Sequence, residues 1–269
     1  MISLNECLTK DTKIFLIGEE QSKCKKFSLT RKRPAKKIFR KDFNHAEIIG
    51  EAICGIRNLR SAHFFLIGEG YFDYRHWVPY SEIKGSGYHI KLGSYDFCDT
   101  ENFTYFKICD TSGKNHNYLD DVLDMAPTEE NRCELLNEIE ELFALDTFMG
   151  QIDRFWSNIL FEKNKKTKEL HLAPVYDFQY SLKKYYMDPK MLYDNFLYHF
   201  QTREDYFNFM REHPEFADKL CSYLDIDLVE LIKRSYRTRG LQVPDSKAPF
   251  YEEFAKERKE FIKSITRGN

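Results

Sequence analysis

The spacing of apolar residues changes once along this chain, and that change limits the folds open to it. Up to about residue 110 the pattern is that of short strands broken by turns. Lys13 to Ile17, Phe27 to Leu29, Pro34 to Phe39, His63 to Gly68, His89 to Leu92 and Phe103 to Ile108 are the segments that read as strands. One helix interrupts them, capped by Asn44, with Glu47 three residues on and Ile48, Ala52, Ile56 and Leu59 at helical spacing. Beyond Thr111-Ser112-Gly113-Lys114 the period becomes helical. A long amphipathic helix is predicted from Thr128 to Met149, ended by Gly150. Shorter helices are predicted at Pro189 to Phe200, Arg203 to His213 behind a Thr202 cap, Pro214 to Leu224, Ile226 to Tyr236 and Phe250 to Ile265. The expected fold is therefore α+β and two-lobed, with a strand-rich lobe over 1–110 and a helical lobe over 111–269.

Composition narrows the function classes. Hydrophobic residues at 42% and aromatic residues at 16% supply a real core and argue against disorder. No apolar run approaches the roughly 20 residues that span a bilayer. A net charge of −2 argues against direct nucleic-acid binding. The exception is local: Lys23 to Lys41 carries ten basic and no acidic residues, a solvated face or a phosphate contact. The 7 cysteines are scattered and never form CxxC, which suits thiols in a reducing compartment. The start of the sequence lacks the basic-then-apolar order of a signal peptide, so the cytoplasm is the expected location, with export into a host cell by a dedicated machine as the alternative.

The chemistry concentrates in Gly150 to Phe178. Asp153 is followed five residues later by Asn158, then by a strand (Ile159 to Phe161), a polar turn, a second strand (Leu170 to Tyr176) and Asp177. A turn centred on Thr167 and Lys168 would set Asn158 opposite Asp177, with Asp153 at the same mouth. Three oxygen-bearing side chains would then meet, and hard cations such as magnesium prefer oxygen ligands. That is a candidate phosphoryl-transfer centre: Asp153 to orient or deprotonate the attacking hydroxyl, Asn158 and Asp177 to hold magnesium, and Lys36 or Lys37 to pin the inner phosphates. Strand alternation favours Lys37, because Ala35 and Lys37 share a face. A helix glutamate, Glu47 or Glu51, would hold that lysine.

With those residues in order, the sequence resembles the HipA-like family of bacterial serine/threonine kinases, in its compact CtkA-type form. Gly18-Glu19-Glu20-Gln21-Ser22-Lys23 is similar to that family's G-x-x-Q-x-K phosphate loop, and Asp153-x4-Asn158 with Ala173-Pro174-Val175-Tyr176-Asp177 to its catalytic and "SPxYD" metal-binding elements. The resemblance runs from about residue 14 to 240. It implies a protein-kinase-like fold and Mg-ATP as phosphoryl donor, with Asp153 as catalytic base and Asn158 and Asp177 as magnesium ligands. It places phosphate contacts at Gly18, Gln21, Ser22, Lys23 and Lys37 and adenine contacts along Phe106, Lys107, Ile108 and Cys109. It also implies a protein substrate, a possible antitoxin partner or an effector role, and autophosphorylation at Ser22. One departure stands out: Phe155 occupies the position where the family has a histidine.

Two other readings compete. Gly150-x-x-Asp153-Arg154 with Asn158-Ile159-Leu160 also resembles the catalytic loop of phosphatidylinositol kinases, which would change the acceptor to a lipid or small molecule. Phe155 and the single-glycine phosphate loop allow a pseudokinase that binds ATP without turnover.

Overall fold

The computed structural model describes residues 7–18, 38–41, 44–70, 77–84, 89–95, 101–108, 118–178, 180–182 and 200–266. The expected α+β class is what it has. Strands β1 (Lys13–Gly18), β2 (Ile38–Lys41), β3 (Phe64–Gly70), β4 (Trp77–Pro79) and β5 (His89–Tyr95) form one sheet in the order β2-β5-β3-β1-β4. Helix α1 (His45–Ile56) and the short α2 (Tyr80–Ile83) belong to the same half. Strands β1 and β3 pair in parallel, Phe15 with Ile67 and Gly18 with Gly70, so the chain between them must cross over, and α1 lies on that crossover. Asn44 starts α1 by accepting from the Ala46 amide at 2.9 Å.

A second sheet of three strands, β6 (Phe103–Phe106), β7 (Phe161–Asn164) and β8 (Leu170–Leu172), runs in that order and is antiparallel throughout. Strand β6, drawn from the stretch assigned to the first lobe, is thus hydrogen-bonded to the hairpin of the second. The connector near residue 110 falls outside the described residues.

Helices dominate the remainder: α3 (Leu119–Leu123), α4 (Glu129–Met149), α5 (Arg203–Glu212), α6 (Pro214–Ser222), α7 (Leu228–Arg237) and α8 (Ala248–Thr266). Thr128 caps α4 through the Asn131 amide, and Gly150 ends it at φ 61°, a left-handed conformation glycine adopts without a Cβ penalty. Asp227 caps α7, which moves its start two residues past the expected Ile226. The core centres on α4. Phe143 stacks on Phe216 at 4.5 Å and meets Phe200 and Phe209 edge-on at 5.2 and 5.4 Å. The predicted strand at 27–29 and helix at 189–199 lie outside the described residues. Among the described residues no helix is long and apolar enough to cross a membrane, and Cys7, Cys54, Cys133 and Cys221 form no disulfide.

The strand-rich and helical parts are bolted together. Ser235 in α7 donates to the Ile48 carbonyl of α1 at 3.3 Å, and the Tyr236 hydroxyl is hydrogen-bonded to His45. Arg57 forks onto Glu141 of α4 at 2.8 and 3.1 Å, and Glu141 also accepts from the Tyr223 hydroxyl at 2.7 Å. At the other side, the hydroxyls of Thr9 and Thr12 donate to the Gly240 carbonyl at 2.7 and 2.5 Å, and the Gln242 amide donates to the Cys7 carbonyl at 2.9 Å.

Candidate active site

The loop that leaves α4 carries the chemistry. Gly150 turns the chain, and its left-handed geometry sends Gln151, Asp153 and Arg154 back across the helix end. A single turn of 3-10 helix, Trp156–Asn158, then delivers the chain to β7. Trp156, buried to 3%, anchors that turn by packing edge-on to Tyr118 at 6.4 Å.

The hairpin register differs from the expected one by two residues. Phe161 pairs with Leu172 and Lys163 with Leu170, and Ala173 donates to the Leu160 carbonyl at 2.9 Å. Continued, this register sets Asn158 opposite Val175 rather than Asp177. The cause is the turn. Asn164 folds its side chain over the amides of Lys166 and Thr167 at 2.9 and 3.2 Å, and Lys168 takes φ 70°, closing the loop nearer the first strand. Both strands also differ from their predicted bounds. The first begins only at Phe161 and runs to Asn164, because Asn158 is still in the 3-10 turn. The second ends at Leu172, because Val175 leaves the hairpin for the segment after α1: its amide donates to the Arg60 carbonyl at 2.8 Å, and its own carbonyl accepts from Ala62 at 2.9 Å.

The three polar groups nevertheless gather, by tertiary contacts instead of by register. Asn158 donates its Nδ2 to the Asp153 carbonyl at 2.6 Å, so its Oδ1 is the atom left to act as a donor oxygen. Asp177 stands at φ 65°, a left-handed value unusual for a residue with a Cβ. Partial burial and the Asp177 carboxylate push the Asp153 carboxyl above its ordinary value, against the pull of Arg154, which places the two carboxylates within electrostatic reach of each other.

Arg154 is the centre of the packing beneath them. It is buried to 3%, pairs with the fully buried Asp146 at 2.9 and 3.2 Å, donates to the Tyr176 carbonyl at 2.6 Å and lies 5.2 Å from the centre of the Phe178 ring. Burial pulls its ionisation down, but the carboxylates of Asp146, Asp177 and Glu47 hold it above the usual value, so it stays a cation. Gln151, 2% exposed, touches both loops: its Oε1 accepts from the Asp153 amide at 3.2 Å and its Nε2 donates to the Asp177 carbonyl at 2.8 Å.

The two helix glutamates separate clearly. Glu47 is fully buried and accepts from the Phe178 amide at 3.1 Å, which ties α1 to the loop bearing Asp177. Glu51 faces away, bonded to His63 at 2.7 Å, the Phe64 amide at 3.0 Å and Arg239 at 2.6 Å. Phe178 rests on α1 where Gly50 leaves room for it: a Cβ at Gly50 would meet the ring at 2.5 Å.

Phe106 stacks on Phe161 at 5.8 Å and the Lys107 ammonium lies 5.6 Å from the centre of the Tyr176 ring, beside Asp177. Since β6 runs antiparallel to β7, Lys107 and Ile108 continue toward the end of β7 where Asn158 lies. Gly18 ends β1, which runs parallel to β3, and pairs there with Gly70. Gln21, Ser22, Lys23, Lys36, Lys37 and Cys109 lie outside the described residues. Phe155 is exposed to 39% in the loop between α4 and β7.

Sequence reasoning missed Arg154 and Gln151. A charged residue directly after Asp153, with Asp146 two helical turns before it, was the available signal for Arg154. For Gln151 there was only its place beside the helix-ending glycine.

No protein-family model matches the chain, and no curated protein matches its sequence. Among solved structures, the chain is similar to the proinflammatory kinase CtkA of Helicobacter pylori, with TM-score 0.47 and 16% identity over 90% of this chain and 92% of that one. It is also similar to a complex of HipA, HipB and operator DNA from a toxin–antitoxin system of Shewanella oneidensis MR-1, with TM-score 0.49 and 12% identity over 88% of this chain and 60% of that one. A third is the Golgi casein kinase with Mn and ADP bound, with TM-score 0.49 and 12% identity over 96% of this chain and 73% of that one.

Proposed function

We propose that this protein is a Mg-ATP-dependent kinase that phosphorylates serine or threonine hydroxyls of a protein acceptor. The observation that carries the reading is the approach of Asp153, Asn158 and Asp177: Asn158 bonds the Asp153 carbonyl at 2.6 Å, the two carboxylates interact, and Gln151 and Arg154 are buried between the loops that bear them. The donor chemistry fits magnesium. Two carboxylates and an amide oxygen are all hard oxygen ligands, and Mg²⁺ is commonly held by one or two carboxylates with phosphate oxygens completing the shell. Among the described residues there is no competing group of three His, Cys, Asp or Glu side chains.

Mg-ATP, when bound, supplies an electrophilic γ-phosphorus whose charge the cation neutralises. The protein's own part follows from position. Asp153 accepts the proton of the acceptor hydroxyl as its oxygen bonds to phosphorus and the bond to the ADP oxygen breaks. Its raised ionisation brings it closer to the working range of a general base. Asp177 and the Oδ1 of Asn158 would hold the cation, Phe106 to Ile108 would contact the adenine, and Lys37 or Lys36 would hold the inner phosphates. The Tyr176-Asp177-Phe178 element, fixed to Glu47 and Arg154, supports the protein-kinase reading over the lipid-kinase one.

Incubation with labelled ATP and Mg²⁺ tests this. The purified protein is expected to label itself or a general protein substrate, and Asp153→Ala to lose the label. Label appearing only in lipid extract would overturn the protein acceptor, and ATP binding without any transfer would leave a pseudokinase.

A further inference from the structure

Gln151 is buried and uses both ends of one amide to join the two loops that carry the acidic groups. Its Oε1 receives the Asp153 amide at 3.2 Å and its Nε2 donates to the Asp177 carbonyl at 2.8 Å, while its own backbone amide is fixed to the Asp146 carbonyl at 2.9 Å. Neither bond touches a carboxylate. What they share is the main chain on which each carboxylate is mounted. Asp153 and Asp177 repel, and the hairpin ladder that could have fixed their spacing has ended by Ala173. Asp177 is moreover held in a left-handed conformation, which needs outside support to persist.

We propose that Gln151 is a positioning residue that sets the separation between Asp153 and Asp177, and through it the affinity of the site for a divalent cation. The inference rests on the kinase reading of this site and names the gauge within it. A side chain one methylene shorter could not span both amide and carbonyl. Glutamate keeps the acceptor for Asp153 but loses the donor for Asp177. Arg154 supports the same two loops from below, with its hydrogen bond and ring contact on Tyr176 and Phe178, either side of Asp177, and its charge toward the Asp177 carboxylate. Gln151 is the described side chain that bonds directly to the main chain of both acidic residues.

The test uses Gln151→Met, which keeps volume and removes both bonds, and Gln151→Glu, which removes one. Mn²⁺ titrations in the presence of ADP, followed by the paramagnetic signal of the free ion, measure cation affinity without turnover. Supporting partners behind a metal site change affinity by about 10- to 100-fold. We expect Mn²⁺ binding to weaken by about 10-fold or more in Gln151→Met, and the Mg²⁺ concentration for half-maximal phosphoryl transfer to rise in proportion. Gln151→Glu is expected to fall on the same side. A residue needed only for folding would lower the active fraction and leave the cation midpoint where it was. Unchanged Mn²⁺ affinity in a folded Gln151→Met protein overturns the inference. Absence of phosphoryl transfer in the unsubstituted protein overturns the kinase reading instead, and the Mn²⁺ titration still decides the role of Gln151.

Discussion

Two glycines of α1 allow one substitution to be made twice with opposite outcomes. A Cβ at Gly50 would sit 2.5 Å from Cγ and Cδ2 of Phe178 and 2.7 Å from Cε2, whereas a Cβ at Gly55 would have nothing within 4 Å. Carbon atoms prefer about 3.5–4.0 Å, so the Phe178 ring must retreat by about 1 Å to admit the added methyl group. Such overpacking costs about 1–3 kcal/mol. Replacing glycine by alanine inside a helix returns up to about 1 kcal/mol. Gly50→Ala should therefore be neutral to about 2 kcal/mol less stable, and Gly55→Ala up to about 1 kcal/mol more stable. The helix propensity largely cancels between the two, so their difference of about 1–3 kcal/mol reports the ring contact, a separation of several degrees at about 2–4 °C per kcal/mol. The ring cannot move alone, because the Phe178 amide is bonded to Glu47 and Asp177 precedes it. If the protein is the kinase proposed above, Gly50→Ala should also lose phosphoryl transfer, and Phe178→Leu added to it should recover stability in a non-additive way. Thermal melts of the two single variants and the double variant, with Mg-ATP turnover beside them, provide the check. Equal melting temperatures for Gly50→Ala and Gly55→Ala would refute the packing of Phe178 on α1.

Other expectations follow from the same frame. Arg154→Met strands the fully buried Asp146 carboxylate and should cost about 3–5 kcal/mol in urea unfolding, part of it regained when Asp146→Asn is added. Asp153 has a raised pKa in the folded state, so the folded form binds protons more tightly than the unfolded one, and stability falls as pH rises through that window. Asp153→Asn should thus be more stable than the parent at neutral pH while losing transfer, with the gap closing in melts taken at falling pH. Thr12→Val removes a buried hydroxyl that donates to the Gly240 carbonyl, and should cost about 1–3 kcal/mol by thermal or urea melts with no direct effect on the acidic site.

Much of the architecture was legible because it is local. Asn44, Thr128 and Thr202 cap helices through amides two or three residues away, and such signals survive in sequence; Asp227 does the same and was passed over. The candidate acidic residues were legible for their chemical type. Their meeting was not, since the expected hairpin register was two residues off and the convergence depends on Arg60, Gln151 and Arg154, whose partners lie in other parts of the chain. Sheet order failed to show for the same reason. Nothing in Lys13 to Gly18 says that its neighbour is Phe64 to Gly70 rather than the next strand along. The different surroundings of Glu47 and Glu51 depend on Phe178 and on Arg239, nearly two hundred residues downstream.

The bond from Thr9 to the Gly240 carbonyl spans 231 residues, and it dates the fold. A chain made from its first residue cannot complete that clasp until Gly240 and Gln242 have left the ribosome. At about 5–20 residues per second the wait is about 10–50 s. Throughout it, the residues before β1 have the Tyr80 and Ser81 amides but not the clasp, and α1 has no α7 to cover part of its apolar face. The strand-rich half is thus a late-maturing piece, dependent on the helices that follow it. Limited proteolysis of ribosome-bound chains that end before or after Gln242 would record when the nascent molecule closes.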